Sequence, residues 1–196
     1  GAGGVLEVTA RVNLDAQGEL RNSVTLDYED LIGNPYPTER AEDLTSVPAD
    51  APRVALTKTA TIVEDRNNDG NAGPTDVIAY SIVARNTGAT AAVNLVIEDA
   101  PDPHTRLRAG TALITPVGVI ERGNAPDDTT VRARVASLAP GAAVTLRFEV
   151  QVRTDVPSNV TDSANQAVAT GDNVPRLPSD NPFTPVPDDP TIVPYV

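Results

Sequence analysis

The segment Asp65-Arg66-Asn67-Asn68-Asp69-Gly70-Asn71-Ala72-Gly73-Pro74-Thr75-Asp76 spaces its oxygen donors as a cation site requires. Counted from Asp65, oxygen-bearing side chains stand at the first, third and fifth positions, glycine at the sixth, Asn71 at the seventh and a carboxylate at the twelfth. Alternate residues of a tight loop converge their oxygens on one point, and glycine permits the turn that brings the last ligand round. This is the spacing of an EF-hand-type calcium loop, with Asp in place of the usual bidentate Glu at its end. The expected Ca²⁺ ligands are Asp65, Asn67, Asp69, Asn71 and Asp76. The shorter terminal Asp and the strands on either side point to a weak, extracellular kind of site. A solvated turn is the alternative reading, because Asn, Asp and Gly favour turns without any ion. Asp180, Asp188 and Asp189 form a second acidic group, read either as a calcium site at a domain junction or as a solubilising linker.

Other chemistry is sparse. The chain has no Cys, so it has neither a disulfide framework nor a thiolate metal site. It contains no G-x-S-x-G, P-loop or H-E-x-x-H motif, and its single histidine, His104, lies in a proline-rich turn. No catalytic triad is assembled around it, and no enzymatic activity is expected. A formal net charge of −12 opposes nucleic-acid binding, which needs clustered Lys and Arg. No apolar run approaches the roughly 18–20 residues that span a bilayer, so membrane insertion is not expected. No signal peptide is visible, and a chain beginning at Gly without any Met reads as a processed or excised product. Of 15 basic residues, 14 are Arg and only Lys58 is Lys.

The elements that must position these residues are strands. Aromatic residues make up only 3%, so a core is built from Val, Leu, Ile and Ala, while 18 Pro and 13 Gly punctuate the chain throughout. Alternation marks strands at 54–63, 76–85, 92–98 and 144–153, with weaker ones near 111–121 and 129–137 and a last one at 164–170. Short strands at this spacing predict an all-β fold, an Ig-like Greek-key β-sandwich, with an open barrel as the alternative. Residues 171–196 form a proline-rich, acidic C-terminal connector in this reading, because proline fixes φ and removes donors.

The sequence also repeats itself. Leu6, Val12 and Asp15 match Leu146, Val152 and Asp155; Arg21-Asn22-Ser23-Val24 matches Ala164-Asn165-Gln166-Ala167; and Asp43 to Pro48 matches Asp189 to Pro194. Residues 51–196 therefore read as a complete unit, preceded over 1–50 by two orphan strands and the connector of a partial repeat. The orphan strands carry Val8, Val12, Leu14, Leu20, Val24 and Leu26 with no front half to pair with. Unpaired strands are templates for strand addition from another chain.

Leu56-Thr57-Lys58-Thr59, the Asp/Asn-Gly loop, Val77 to Ile82, Arg85-Asn86-Thr87-Gly88, Val93 to Asp99, Asn165 and Asp189-Pro190-Thr191 together resemble one bacterial repeat. It is the Ig-like repeat of surface proteins known as domain of unknown function eleven. The likeness covers 51–196, and its tail half covers 1–50. The chain departs from the pattern after Asp99, where Pro101-Asp102-Pro103-His104-Thr105 replaces a shorter turn. The resemblance implies a secreted bacterial protein of tandem modules. Related surface modules also form spontaneous amide bonds between a Lys on the first strand and an Asn on the last, assisted by a buried acid. Lys58, Asn165 and Asp99 are the matching residues. Against this stands a solvated Lys58, since an unpaired lysine is almost always exposed.

Two functions follow as expectations. One is an extracellular, calcium-stabilised protomer of a filament, stalk or surface layer, joining copies of itself head to tail by strand addition. The other is an adhesin or carbohydrate-binding module of a larger surface protein, with an extracellular polysaccharide as partner. The scarcity of aromatics for stacking on sugars weighs against the second.

Overall fold

The computed structural model describes residues 18–30, 32–47 and 51–195. The chain divides into two compact units, Gly1–Ala51 and Pro52–Val196.

In the first unit β1 (Gly18–Leu26) pairs antiparallel with β2 (Glu39–Val47), Gly18 opposite Val47 and Leu26 opposite Glu39. The turn between them is closed by Asp30, whose carboxylate accepts the backbone N–H groups of Ile32 and Asn34, each at 2.9 Å. Tyr28 and Tyr36 stack across it with ring centroids 4.9 Å apart. β1 and β2 are the segments that match the end of the second unit in sequence. There, Asn165 lies opposite Thr191, whereas Asn22 lies opposite Asp43, a register two residues away from the matching one. A shift of two keeps every side chain on its face.

The second unit is an Ig-like β-sandwich. One sheet runs β3 (Val54–Glu64), β4 (Val77–Asn86), β10 (Ala143–Val152) and β6 (Thr105–Leu107), with β7 (Leu113–Thr115) also on β10. The other runs β13 (Val174–Pro178), β12 (Ala167–Gly171), β5 (Ala92–Asp99), β9 (Val131–Leu138) and β8 (Val119–Arg122). A short pair, β11 (Asp162–Asn165) with β14 (Thr191–Pro194), accompanies them. The chain changes sheets between β4 and β5, β5 and β6, β7 and β8, β9 and β10, and again between β10 and β12. Such crossings make the Greek-key pattern.

The inner faces form one core in which Leu56, Ile78, Ile82 and Leu146 from one sheet meet Leu95, Ile97, Val131 and Val135 from the other. Tyr80 and Phe148 are its large rings, 5.4 Å apart between centroids. Strand alternation decides which residues enter it.

The C-terminal stretch differs from a connector. Val174–Pro178 is a strand of the second sheet and Thr191–Pro194 pairs with β11. Pro175 and Pro178 are tolerated because β13 is an edge strand, where a missing N–H leaves no ladder bond unmade.

Candidate functional site

Lys58 is the third inward position of β3 after Val54 and Leu56, and alternation carries it into the core, with 0% of its surface exposed. Across the sandwich, Asp99 ends the inward series Leu95, Ile97, Asp99 of β5. The Lys58 ammonium donates to Asp99 Oδ2, forming an ion pair between the two sheets with both side chains fully buried. Tyr80 presents its ring 4.3 Å from Nζ and Phe148 at 5.6 Å, so aromatic faces supply the remaining electrostatic support.

Asn165 is brought to the same place by the backbone. It lies opposite Thr191, whose hydroxyl donates to the Lys58 carbonyl at 2.8 Å. Two residues further along the same inward face, Ala167 lies opposite Asp99. Asn165 thus stands two residues along the chain from the residue opposite Asp99, buried on the same inward side. Asp99 Oδ1 and both amide atoms of Asn165 are buried without a hydrogen-bond partner. Buried polar atoms are nearly always satisfied, so three orphans on two side chains call for an explanation.

Burial pulls the Lys58 amine down to about 8, against the pull of the Asp99 charge and hydrogen bond, which favour the ammonium. Lys58 is therefore not the solvated strand residue that its isolation among arginines allowed. The sequence already held the signal: Val54, Leu56, Ala60 and Ile62 share its phase, and the intervening Thr57, Thr59 and Thr61 line the other face. Sequence reasoning did not single out Tyr80, Phe148, Ser163 and Thr191, although Ser163 stands in phase with Asn165.

In the Asp65–Asp76 loop, which joins β3 to β4, Asp65 accepts the N–H groups of Asn68 (2.7 Å) and Gly70 (2.8 Å). Asp69 accepts from the Asn67 amide and the Asn71 N–H. Gly70 has φ +80°, the left-handed conformation that the sixth position needs. Asp76 is buried, its oxygens accepting the N–H groups of Arg66 (2.9 Å) and Gly73 (2.8 Å). Asp65 and Asp76 flank the loop at the strand ends, and Asn67 and Asp69 lie between them and bond to each other. Among the described residues no three His, Cys, Asp or Glu side chains cluster as a metal group.

Asp180, Asp188 and Asp189 bind their own loop. Asp180 accepts the Asp188 N–H at 2.7 Å, and Asp189 accepts the Asn181 N–H and the Thr184 hydroxyl. The Asp180 carbonyl also accepts the Lys58 N–H, which ties this loop to β3. Leu20, Val24 and Leu26 lie on β1, with Val24 54% and Leu26 58% exposed; Val8, Val12 and Leu14 fall outside the described residues. His104 pairs with Asp102 at 2.9 Å within its turn. Among the described residues no helix is long and apolar enough to cross a membrane.

No family model matches the chain, and no curated protein matches it. Solved structures of similar shape include BcpA, the major pilin subunit of Bacillus cereus, at 15% identity over 88% of this chain and 48% of that one, with a TM-score of 0.49. The full-length major pilin SpaD from Corynebacterium diphtheriae shares 13% identity over 89% of this chain and 62% of its own, also at 0.49. The collagen binding domain of the Erysipelothrix rhusiopathiae surface protein RspB shares 12% over 92% and 57%, at 0.43. The chain spans 48% to 62% of the length of these three chains. Similarity at this level says nothing of what this chain binds or joins.

Proposed function

We propose that the chain is an extracellular structural module of a bacterial filament, stalk or surface layer, of the Ig-like repeat kind, whose sandwich ties itself with an amide bond between Lys58 and Asn165. The observation that carries this reading is the buried Lys58–Asp99 pair beside the unpartnered amide of Asn165. The Lys58 ammonium passes a proton to the Asp99 carboxylate, leaving a neutral amine nucleophile and a carboxylic acid that polarises the Asn165 carbonyl. Nζ attacks Cγ of Asn165, the Cγ–Nδ2 bond breaks, and ammonia leaves. Of the three ammonium protons one stays on the new amide, one rests on Asp99 and one departs in the ammonia. The reaction happens once per molecule, so the protein is its own product and not an enzyme.

The bond joins the first strand of the unit to a late one. A chain without cysteine thereby gains a covalent closure of its largest loop, worth about 4 to 5 kcal/mol by the loop-entropy argument used for disulfides. Such a tie suits a module held under tension outside the cell. Copies then join head to tail, β1 and β2 of one chain adding to a neighbour, and Asp65, Asn67 and Asp69 of the β3–β4 loop would hold Ca²⁺.

Pulling single molecules by their termini tests the reading. The segment between Lys58 and Asn165 stays unextended at any force that spares covalent bonds, while Asn165→Ala releases its full length. A native chain that extends as far as Asn165→Ala contradicts the proposal.

A further inference from the structure

The cross-link chemistry places a demand on the core around it. An amide must be held still for attack, and the ammonia it sheds must leave a region of apolar side chains, where an unsolvated polar molecule is costly. Four buried side-chain atoms lack a hydrogen-bond partner among the described residues: Asp99 Oδ1, the two Asn165 amide atoms, and the hydroxyl of Tyr195. The first three belong to the reacting groups. The fourth does not, and the mechanism above leaves it unused.

The backbone places Tyr195 in line with the amide. Along β11, Asn165 and Ser163 face inward, opposite Thr191 and Val193 of β14. The next inward step pairs Tyr195 with Thr161, the Tyr195 N–H donating to the Thr161 carbonyl at 2.8 Å. Tyr195 is therefore the diagonal neighbour of Ser163, as Ser163 is the next inward residue from Asn165. The Ser163 hydroxyl is fully buried and lies 3.4 Å from the Tyr80 hydroxyl. Tyr80 in turn borders Lys58 through its ring. At the outer end Tyr195 lines a cleft of about 290 Å³ together with Gly73, Pro74, Val160 and Thr161. Three hydroxyls thus lie between the Lys58 site and the cleft, those of Tyr80 and Ser163 in contact and that of Tyr195 one inward step beyond, each able to donate and to accept.

Resting on the cross-link reading, we propose that Tyr80, Ser163 and Tyr195 are positioning residues, whose hydroxyls orient the Asn165 amide and pass its ammonia to the cleft beside Gly73 and Pro74. Tyr80 and Ser163 act nearest the amide, and Tyr195 is the outward step. The orphan hydroxyl of Tyr195 is then a waiting acceptor and donor.

The full-length chain, purified unfolded before it has cross-linked, is refolded, quenched with acid at intervals and weighed. Unsubstituted chain loses roughly 17 Da, the mass of ammonia displaced by the activated amine. Tyr195→Phe and Ser163→Ala each slow that loss about tenfold, the scale of one missing hydrogen bond. Ser163→Thr, which keeps the hydroxyl, restores the rate. In an Asn165→Ala background, Tyr195→Phe melts with its parent, which separates a slower reaction from a weaker fold. Loss of mass at the unsubstituted rate in both hydroxyl deletions overturns the proposal while the cross-link stands. Absence of the mass loss in the unsubstituted chain overturns both.

Discussion

An ammonium enclosed by Tyr80, Phe148 and Asp99 is held by its partners against a strong preference for water, and its titration reports that balance. The Asn165→Ala variant keeps the Lys58–Asp99 pair but cannot close the amide, so it exposes the effect. Below about 8 the amine is charged in both folded and unfolded chains. Between about 8 and its ordinary 10.5 the unfolded chain holds more protons, so stability rises with pH. Tyr80 works the other way above its ordinary 10.0, because burial raises its phenol and the unfolded phenol ionises first. Urea denaturation of Asn165→Ala should therefore show stability rising between pH 8 and pH 10, and Lys58→Met should abolish the rise. A flat profile in Asn165→Ala would mean that the lysine is not desolvated. The alternation of β3 made the inward phase of Lys58 legible, as it did for Asp99 after Leu95 and Ile97. What the sequence could not show was that the two phases meet, because that depends on how the two sheets face each other.

At the scale of elements, long alternating runs were readable and short ones were not. β3, β4, β5 and β10 stand within a residue or so of where their patterns put them. β6 has three residues, too few to show a period, and β13 and β14 carry the prolines that suggested a connector. Their edge positions remove the objection to proline. The weak strand near 111–121 is two strands, β7 and β8, separated by Pro116-Val117-Gly118. The β3–β4 loop was legible as a turn with calcium spacing, but not in its division of labour, where Asp76 serves the backbone at the base. If Ca²⁺ binds Asp65, Asn67 and Asp69, adding it at millimolar concentration raises the melting temperature of Asn165→Ala by a few degrees, about the effect of 1–2 kcal/mol. EDTA reverses the gain, and Asp65→Ala removes it. Superimposable melting curves with calcium and with EDTA would leave the loop as an ion-free turn.

For the whole molecule, the proposed assembly rests on the first unit. β1 and β2 form a two-stranded ribbon, an arrangement marginal by itself, with Val24, Leu26 and Leu44 more than half exposed. Strand addition to a neighbouring chain would cover them, and a contact that does not close on itself grows a filament. Size-exclusion chromatography at rising concentration should show polymers of the native chain, and Val24→Asp should shift them toward monomer. A strict monomer at every concentration contradicts head-to-tail assembly without touching the cross-link.

The covalent tie is the central claim, and intact mass tests it most directly. Native chain, denatured and weighed, is expected about 17 Da lighter than its sequence requires, the loss of one ammonia to an activated amine. Asn165→Ala and Lys58→Met are expected at their full sequence masses. A native chain at its full sequence mass would contradict the account.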